Sequence, residues 1–232
     1  MRIAFISDLH GFLPKPPPSD LMVIAGDIAV DRGQGKWFLD KFMPWCKDYM
    51  NPIYATFGNH DRTEDPTIRE LLNQNAPPNL EFLVDQSRLI AGKRFYFTPW
   101  SPRYGDWAWM KSDFDLDGVY EKIPWNTQIL VSHSPPRGYC DINMQYERCG
   151  SQALLARIDQ LPLLEKVICG HIHEGKGSFT SVEKWTVHNV SAVDEYYNLY
   201  SDPWTILDIR VEEQPYEVDS DPGDEDGYGH GV

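Results

Sequence analysis

The chain has no apolar run near the roughly 20 residues that a membrane-spanning helix needs, which excludes a helical membrane protein. Met1 leads straight into a strand-like segment, with no apolar signal core and no small-residue cleavage site. Export is therefore not expected, and the cytoplasm is the expected compartment. Cysteine is scarce, and Cys46, Cys140, Cys149 and Cys169 show no Cys-x-x-Cys spacing, which excludes a zinc ribbon or a dithiol redox pair. Cys169 lies in an apolar run and reads as a small buried hydrophobe, while Cys140 and Cys149 are expected as reduced thiols. Positive charge is also short: 21 Lys and Arg face 35 Asp and Glu, a net charge of −14. Such a chain lacks the cationic surface that phosphate backbones require, so no stable nucleic-acid binding is expected. Residues 211–232 carry much of the acidic excess and are expected to form a solvated, disordered tail, leaving residues 1–210 as one domain. No internal repeat is visible.

What is present is one arrangement written five times. An apolar run over residues 2–6, too short for a helix, ends in Ser7-Asp8-Leu9-His10-Gly11. Residues 21–25 run into Gly26-Asp27, and residues 53–57 into Gly58-Asn59-His60-Asp61. Residues 129–132 run into His133, and residues 166–169 into Gly170-His171-Ile172-His173. Each is a short apolar strand whose C-terminal end delivers metal-type ligands, often beside glycine. Asp8 and His10, two apart, are expected to point the same way from an uncurled strand end. Open α/β sheets gather their sites at the carboxyl ends of strands, so these five ends can meet in one crevice.

Between these strands, residues 12–20 hold Pro14, Pro16, Pro17 and Pro18 and are expected to be an extended connection, without the usual crossover helix. Helices are predicted over residues 34–50, kinked or broken at Pro44, over 66–75 with Pro66 near its start, and over 151–161 with Ser151 as N-cap. Strands are predicted over 80–84, 87–91 and 94–98, the last two joined as a hairpin through Gly92-Lys93, and over 185–193 and 204–209. Residues 99–125 read as an aromatic-rich loop. This α/β order with strand-only stretches fits two packed mixed sheets flanked by helices, a four-layer α-β-β-α sandwich, better than one doubly wound sheet.

Seven donors collect at the strand ends: Asp8, His10, Asp27, Asn59, His133, His171 and His173. Four imidazoles and two carboxylates suit first-row ions such as Mn, Fe, Zn or Co better than Ca, with Mn the first choice in vitro. Seven donors are too many for one such ion and about right for two divalent ions sharing a bridge, for which the carboxylate of Asp27 is the natural group. Ions held roughly 3.5–4 Å apart clamp a phosphoryl oxygen and make hydroxide from a shared water. His60 is left over and suits protonation of a leaving alkoxide. Asp61 either orients His60 or caps the next turn.

This motif series, Asp8-x-His10, Gly26-Asp27, Gly58-Asn59-His60-Asp61, His133 and Gly170-His171-x-His173, resembles that of the calcineurin-like metallophosphoesterases. The resemblance implies a two-sheet sandwich and hydrolysis of phosphomonoesters or phosphodiesters. It implies one metal held by Asp8, His10, Asp27 and His173, a second by Asp27, Asn59, His133 and His171, and His60 as catalytic acid. Phe97-Thr98-Pro99-Trp100-Ser101-Pro102, His133-Ser134-Pro135-Pro136 and Gly170-His171-Ile172-His173-Glu174-Gly175 look like the metallophosphoesterase-domain (MPPED, 239AB-type) branch. That branch is associated with phosphodiesters, including cyclic nucleotides. Some of its members replace the first histidine of Gly-His-x-His by glycine; this chain keeps His171.

Trp100, Tyr104, Trp107 and Trp109 read either as a wall for stacking a nucleobase or as a cluster packing the loop onto the sheet. Arg62, Arg103 and Arg137 sit near motifs and are candidates to grip phosphate, Arg62 first. The expected function is hydrolysis of a small, nucleotide-like phosphodiester, with a metal-bridging hydroxide attacking phosphorus in line. A phosphomonoesterase acting on phosphoproteins and a non-catalytic nucleotide-binding module are the competing readings.

Overall fold

The computed structural model describes residues 1–180 and 185–211. The acidic tail expected over 211–232 lies, beyond Val211, outside the described residues. Strands β1 (Arg2–Ile6), β2 (Leu21–Ala25) and β3 (Ile53–Thr56) come first, with α1 (Gln34–Trp37) and α2 (Met43–Tyr49) between the second and third. Then follow α3 (Pro66–Asn75), β4 (Leu80–Phe82), β5 (Gln86–Ile90), β6 (Lys93–Thr98), β7 (Ser101–Pro102), β8 (Met110–Lys111) and α4 (Asp113–Tyr120). The chain continues through β9 (Ile129–Ser132), α5 (Gln152–Ile158), β10 (Lys166–Cys169), β11 (Gly177–Thr180), β12 (Thr186–Asn189) and β13 (Thr205–Asp208).

Two mixed sheets result. One has the order β13-β1-β2-β3-β4, with β1 to β4 parallel and β13 antiparallel at the edge. The other has the order β11-β12-β10-β9-β6-β5, parallel at its centre and antiparallel at both edges. Side chains alternate across each strand and sort into three apolar layers. Ile3, Phe5 and Val23 of the first sheet meet Phe95, Phe97 and Val131 of the second. Ile6, Met22 and Ile24 face the other way, onto Phe38 and Phe42 of the helical segment beside them. On the far side of the second sheet, Leu130, Val167 and Val187 pack with Leu116, Tyr120 and Leu154. The expected α-β-β-α sandwich is present, and burial on both faces explains why the strands read as unbroken apolar runs.

Three local expectations are corrected. Pro44 does not end the helix; the turn before it, Phe38–Phe42, widens to π-helical geometry and α2 continues through the proline. Proline has no N–H for the carbonyl four residues back, and a π turn absorbs that missing bond. The hairpin turn is Ala91-Gly92, because Ile90 pairs with Lys93 and both turn residues take positive φ, 54° and 82°. Residues 99–125 hold the β7–β8 pair and α4. The helix had a legible signal in Ser112, whose hydroxyl accepts from the Asp115 N–H (3.1 Å) as an N-cap. Exposed Phe114 and mid-helix Gly118 hid its apolar face. β11 was also not anticipated. By contrast, Ser151 caps α5 as expected, accepting from Leu154 N–H (3.1 Å), and Asp113 of α4 accepts from Gln152 and Ala153 N–H. The Pro-rich connection joins the parallel pair β1–β2 without a helix.

Phe97 sits between the sheets, so Phe97→Ala is expected to cost about 3–5 kcal/mol in urea unfolding. Leu89→Ala, on the exposed face of β5, is expected to change stability by less than about 0.5 kcal/mol.

Candidate functional site

Strands β1, β2 and β3 lie side by side and parallel, as do β10 and β9, so their C-terminal ends open on one edge of the sandwich. The two edges are tied together there: Ser7 pairs with Ser191 of the other sheet, and Ser7 N–H donates to Val190 C=O (3.0 Å). Asp8, His10, Asp27, Asn59, His133, His171 and His173 converge at this edge. Two groups have all their ligand atoms within 4.8 Å of one another, Asp8–His10–His173 and Asp27–His133–His171. A third, His10–Asp27–His60, links them.

Asp8 and His10 do not project from an uncurled strand. Asp8, His10, Asp27 and His171 have φ of 54°, 42°, 51° and 68°. Strands β1, β2 and β10 thus give way to the left-handed region at their ligands, a conformation that Asp, Asn and His tolerate better than most residues. The neighbouring glycines are needed for approach. A Cβ on Gly58 would collide with Asp27 Oδ1 and N, and one on Gly170 with Ser7 Oγ and Asp8 Oδ2.

The donor chemistry fits cations. His133 Nδ1 donates to Ala25 C=O (2.9 Å), so its Nε2 faces two further acceptors, Asn59 Oδ1 at 3.0 Å and Asp27 Oδ1 at 3.4 Å. His173 Nδ1 likewise donates to Asp194 C=O (3.1 Å), and its Nε2 faces Asp8 Oδ1 at 3.6 Å and His10 Nε2 at 3.2 Å. Backbone carbonyls that fix one ring nitrogen and aim the other are the usual support of metal-ligating histidines. Acceptors facing acceptors need a proton or a metal ion between them. Protonation supplies this in part: burial opposes charge on His133, but the Asp27 carboxylate beside it lifts its pKa to about 9. Burial likewise opposes the charge on Asp8, yet the hydrogen bond and charge of His173 bring it down to about 2. Burial wins at His10 and His171, which fall to about 4 and about 3.

Asp61 neither orients His60 nor caps the turn that follows it. Its buried carboxylate accepts from Ile28 N–H (3.0 Å), Ala29 N–H (2.9 Å) and Gly58 N–H (2.9 Å), stapling the β2 exit to the β3 exit. Burial and the Asp27 charge raise it to about 7 against the pull of these donors.

His60 donates its backbone N–H to Asp27 Oδ1 (2.7 Å), stacks on Trp107 (centroids 4.2 Å apart) and meets His10 edge-on. Its Nδ1 is buried without a hydrogen-bond partner among the described residues, with exposed Asp31 at 3.5 Å. The aromatic segment divides. Trp100 and Trp109 belong to the core, while Trp107 lies at the site and Tyr104 OH accepts from Asn59 Nδ2 (3.3 Å). Arg62 is exposed, its N–H bonded to Gln34, and it lines neither cavity at this edge.

Two contributors escaped the sequence reading. Asn189 is buried at the end of β12 and donates to Gly170 C=O (3.2 Å) and Ile172 C=O (2.8 Å), shaping the His171–His173 turn. Nothing in its surroundings marks it. Tyr197 packs edge-on against His10 and His173, from a turn that Asp194 organises by accepting from Tyr196 and Asn198 N–H. That Asp-x-x-x-Asn pattern was readable as a turn, though not as part of the site.

The model of calcineurin-like phosphoesterases matches residues 1–175, which contain all seven donors and His60. The chain belongs to this family. It is 25% identical to UPF0046 protein T07D4.2 of Caenorhabditis elegans, covering 91% of this chain and 60% of that protein. It is 27% identical to human metallophosphoesterase domain-containing protein 1, covering 76% and 61%. The chain thus spans about 60% of the length of these curated relatives. Among solved structures, an archaeal phosphodiesterase aligns with a TM-score of 0.43 at 19% identity, covering 82% of this chain and 84% of that one. Membership of the calcineurin-like phosphoesterases implies divalent metal ions, for which the two groups at the strand ends are candidate ligands. Among the described residues, no helix is long and apolar enough to cross a membrane.

Asp61→Ala leaves three buried N–H groups unpaired. It is expected to lower stability by on the order of 3 kcal/mol in denaturant unfolding, where Arg62→Ala on the exposed neighbour changes little.

Proposed function

We propose that this phosphoesterase hydrolyses small, nucleotide-like phosphodiesters with two divalent cations, manganese being the first to try. The observation that supports this reading is the pair of facing acceptor sets around Asp27: Asn59 and His133 on one side, Asp8, His10 and His173 beyond it. In this reading Asp8, His10, Asp27 and His173 hold one cation, Asp27, Asn59, His133 and His171 the other, and Asp27 is common to both. Bound there, divalent cations neutralise phosphoryl oxygens and acidify water for attack on phosphorus.

The protein's own part is orientation and proton supply. Asp27 ties the His60 backbone to the donor set through the 2.7 Å bond, and Trp107 holds the imidazole flat against its ring. His60 is the proton donor to the leaving oxygen in this assignment, and Trp107 and Tyr197 shield that end from bulk water. Arg62 is exposed and lines neither cavity, so this assignment gives the grip on the phosphoryl group to the cations alone.

Two variants test the reading by metal analysis and hydrolysis of a dialkyl-type phosphodiester, whose leaving alkoxide needs a proton, on the same samples. Asp27→Ala is expected to lose bound metal and activity together. His60→Ala is expected to keep its metal while turnover falls about 100-fold or more. Wild-type turnover in the His60 variant overturns its role. Rates on a diester, a monoester and a phosphopeptide separate this reading from a phosphoprotein phosphatase, and nucleotide binding without turnover would mark a binding module.

A further inference from the structure

The donor groups open on a small cavity of about 160 Å³ that His60, Tyr197 and Tyr104 help to line. Beyond Tyr104 and His171, which line both, lies a larger cavity of about 490 Å³. Its walls carry Arg103, Arg137 and Arg148, three guanidiniums on one face of a chain whose net charge is −14. Arg148 is committed to Asp141 (2.9 Å). Arg103 spends one N–H on Met110 C=O (3.2 Å) and Arg137 one on Arg148 C=O (3.0 Å). Both line the cavity, and neither is in an ion pair among the described residues, which leaves most of their five donors uncommitted to a carboxylate. Two carboxylates also line it. Asp113 already accepts from Ser151 Oγ (2.6 Å) and the Gln152 and Ala153 N–H groups, and Glu147 from Asn143 (3.4 Å).

The loop that carries Arg137 and Arg148 is built rather than loose. Buried Asp141 accepts from Gly138 N–H (2.8 Å) and Gly150 N–H (3.3 Å), and Asn143 from Gln145 N–H (3.0 Å) and Glu147 N–H (2.9 Å). The guanidiniums are therefore displayed from a fixed frame beside His171.

We propose that this cavity is a specificity subsite that receives a second phosphate, carried on the ester arm that stays on phosphorus after cleavage. The inference rests on the phosphodiesterase reading. With the leaving oxygen toward His60, which lines only the small cavity, the retained arm runs past Tyr104 and His171 toward Arg103 and Arg137. Guanidiniums bind phosphate bidentately, and two of them match its double charge.

The test uses three p-nitrophenyl phosphodiesters that differ only in the retained arm: ethyl, choline and 2-phosphoethyl. Binding of the matching non-hydrolysable phosphonates to the manganese-loaded protein is measured alongside. The phosphoethyl arm is expected to exceed ethyl about five- to tenfold in kcat/KM, mainly through KM, with choline lowest, and phosphonate Kd values should follow the same order. In the Arg103→Ala/Arg137→Ala variant the phosphoethyl-to-ethyl ratio should fall to about one, and Arg137→Glu should shift preference toward choline. A wild type indifferent to arm charge, or a double variant that keeps the ratio, overturns the subsite. If the loaded wild type cleaves none of the three, the phosphodiesterase reading fails, while the phosphonate titration still decides whether the arginines select a second phosphate.

Discussion

Two carboxylates, Asp8 and Asp27, are removed from water between two sheets, and much of the surrounding structure compensates for burying them. A lone buried carboxylate is strongly disfavoured. Here Asp8 accepts from the His171 N–H (3.1 Å) and faces His173, while Asp27 accepts from the His60 N–H and faces His133 and His10. Every such partner comes from a different strand end from that of the carboxylate it serves. The charge cluster therefore couples the two sheets: separating them would strand the carboxylates, and losing one sheet's donors would leave the other's unpaired. Asp61 and Asn189 do the same for the backbone, converting free N–H and C=O groups of the exit loops into fixed bonds.

The sequence carried the architecture because both faces of each central strand are buried. Residues 2–6, 21–25 and 129–132 could therefore be nothing but short apolar runs ending at a polar break. The donors were legible for a related reason: a polar residue directly after such a run, at a strand's carboxyl end, has few structural reasons to be there. What stayed hidden depended on partners distant in sequence. Asp61 looked like an appendage of His60 because its N–H donors, Ile28 and Ala29, lie about thirty residues away. Asn189 reaches the donor set from the end of β12, and Tyr197 from the turn that follows it. The left-handed conformations of Asp8, His10, Asp27 and His171 were also hidden, since Asp and His tolerate that region without requiring it.

The aromatic residues near the site show how one segment serves two purposes. Trp109 stacks with Phe57, donates its indole N–H to Thr63 Oγ1 (3.1 Å) and lies under the Arg69 guanidinium, a fully satisfied core position. Two residues earlier, Trp107 is partly exposed and covers His60. Backbone bonds beside the β7–β8 pair fix which indole turns inward, because Ser101 N–H bonds to Trp109 C=O (2.9 Å) and Ala108 N–H to Asn59 C=O (3.1 Å). Composition alone does not separate these roles; the pairing does.

The division of labour extends to how such a site acquires selectivity. The donors sit on five strand ends whose positions are fixed by sheet register, and a shift of one residue would turn each side chain to the opposite face. Groups that touch anything beyond the donors come from elsewhere: Tyr104 and Trp107 from the segment after β6, Arg137 and Arg148 from the loop after β9, Tyr197 from the turn after β12. These segments lie outside the central strands and tolerate change in length and sequence without altering the register that aims Asp27 or His133. Changes in these surrounding loops can thus leave the strand-end donors where the sheets place them. The regions to compare when asking what a given member cleaves are residues 99–111, 137–150 and 194–199, rather than the motifs that mark the family.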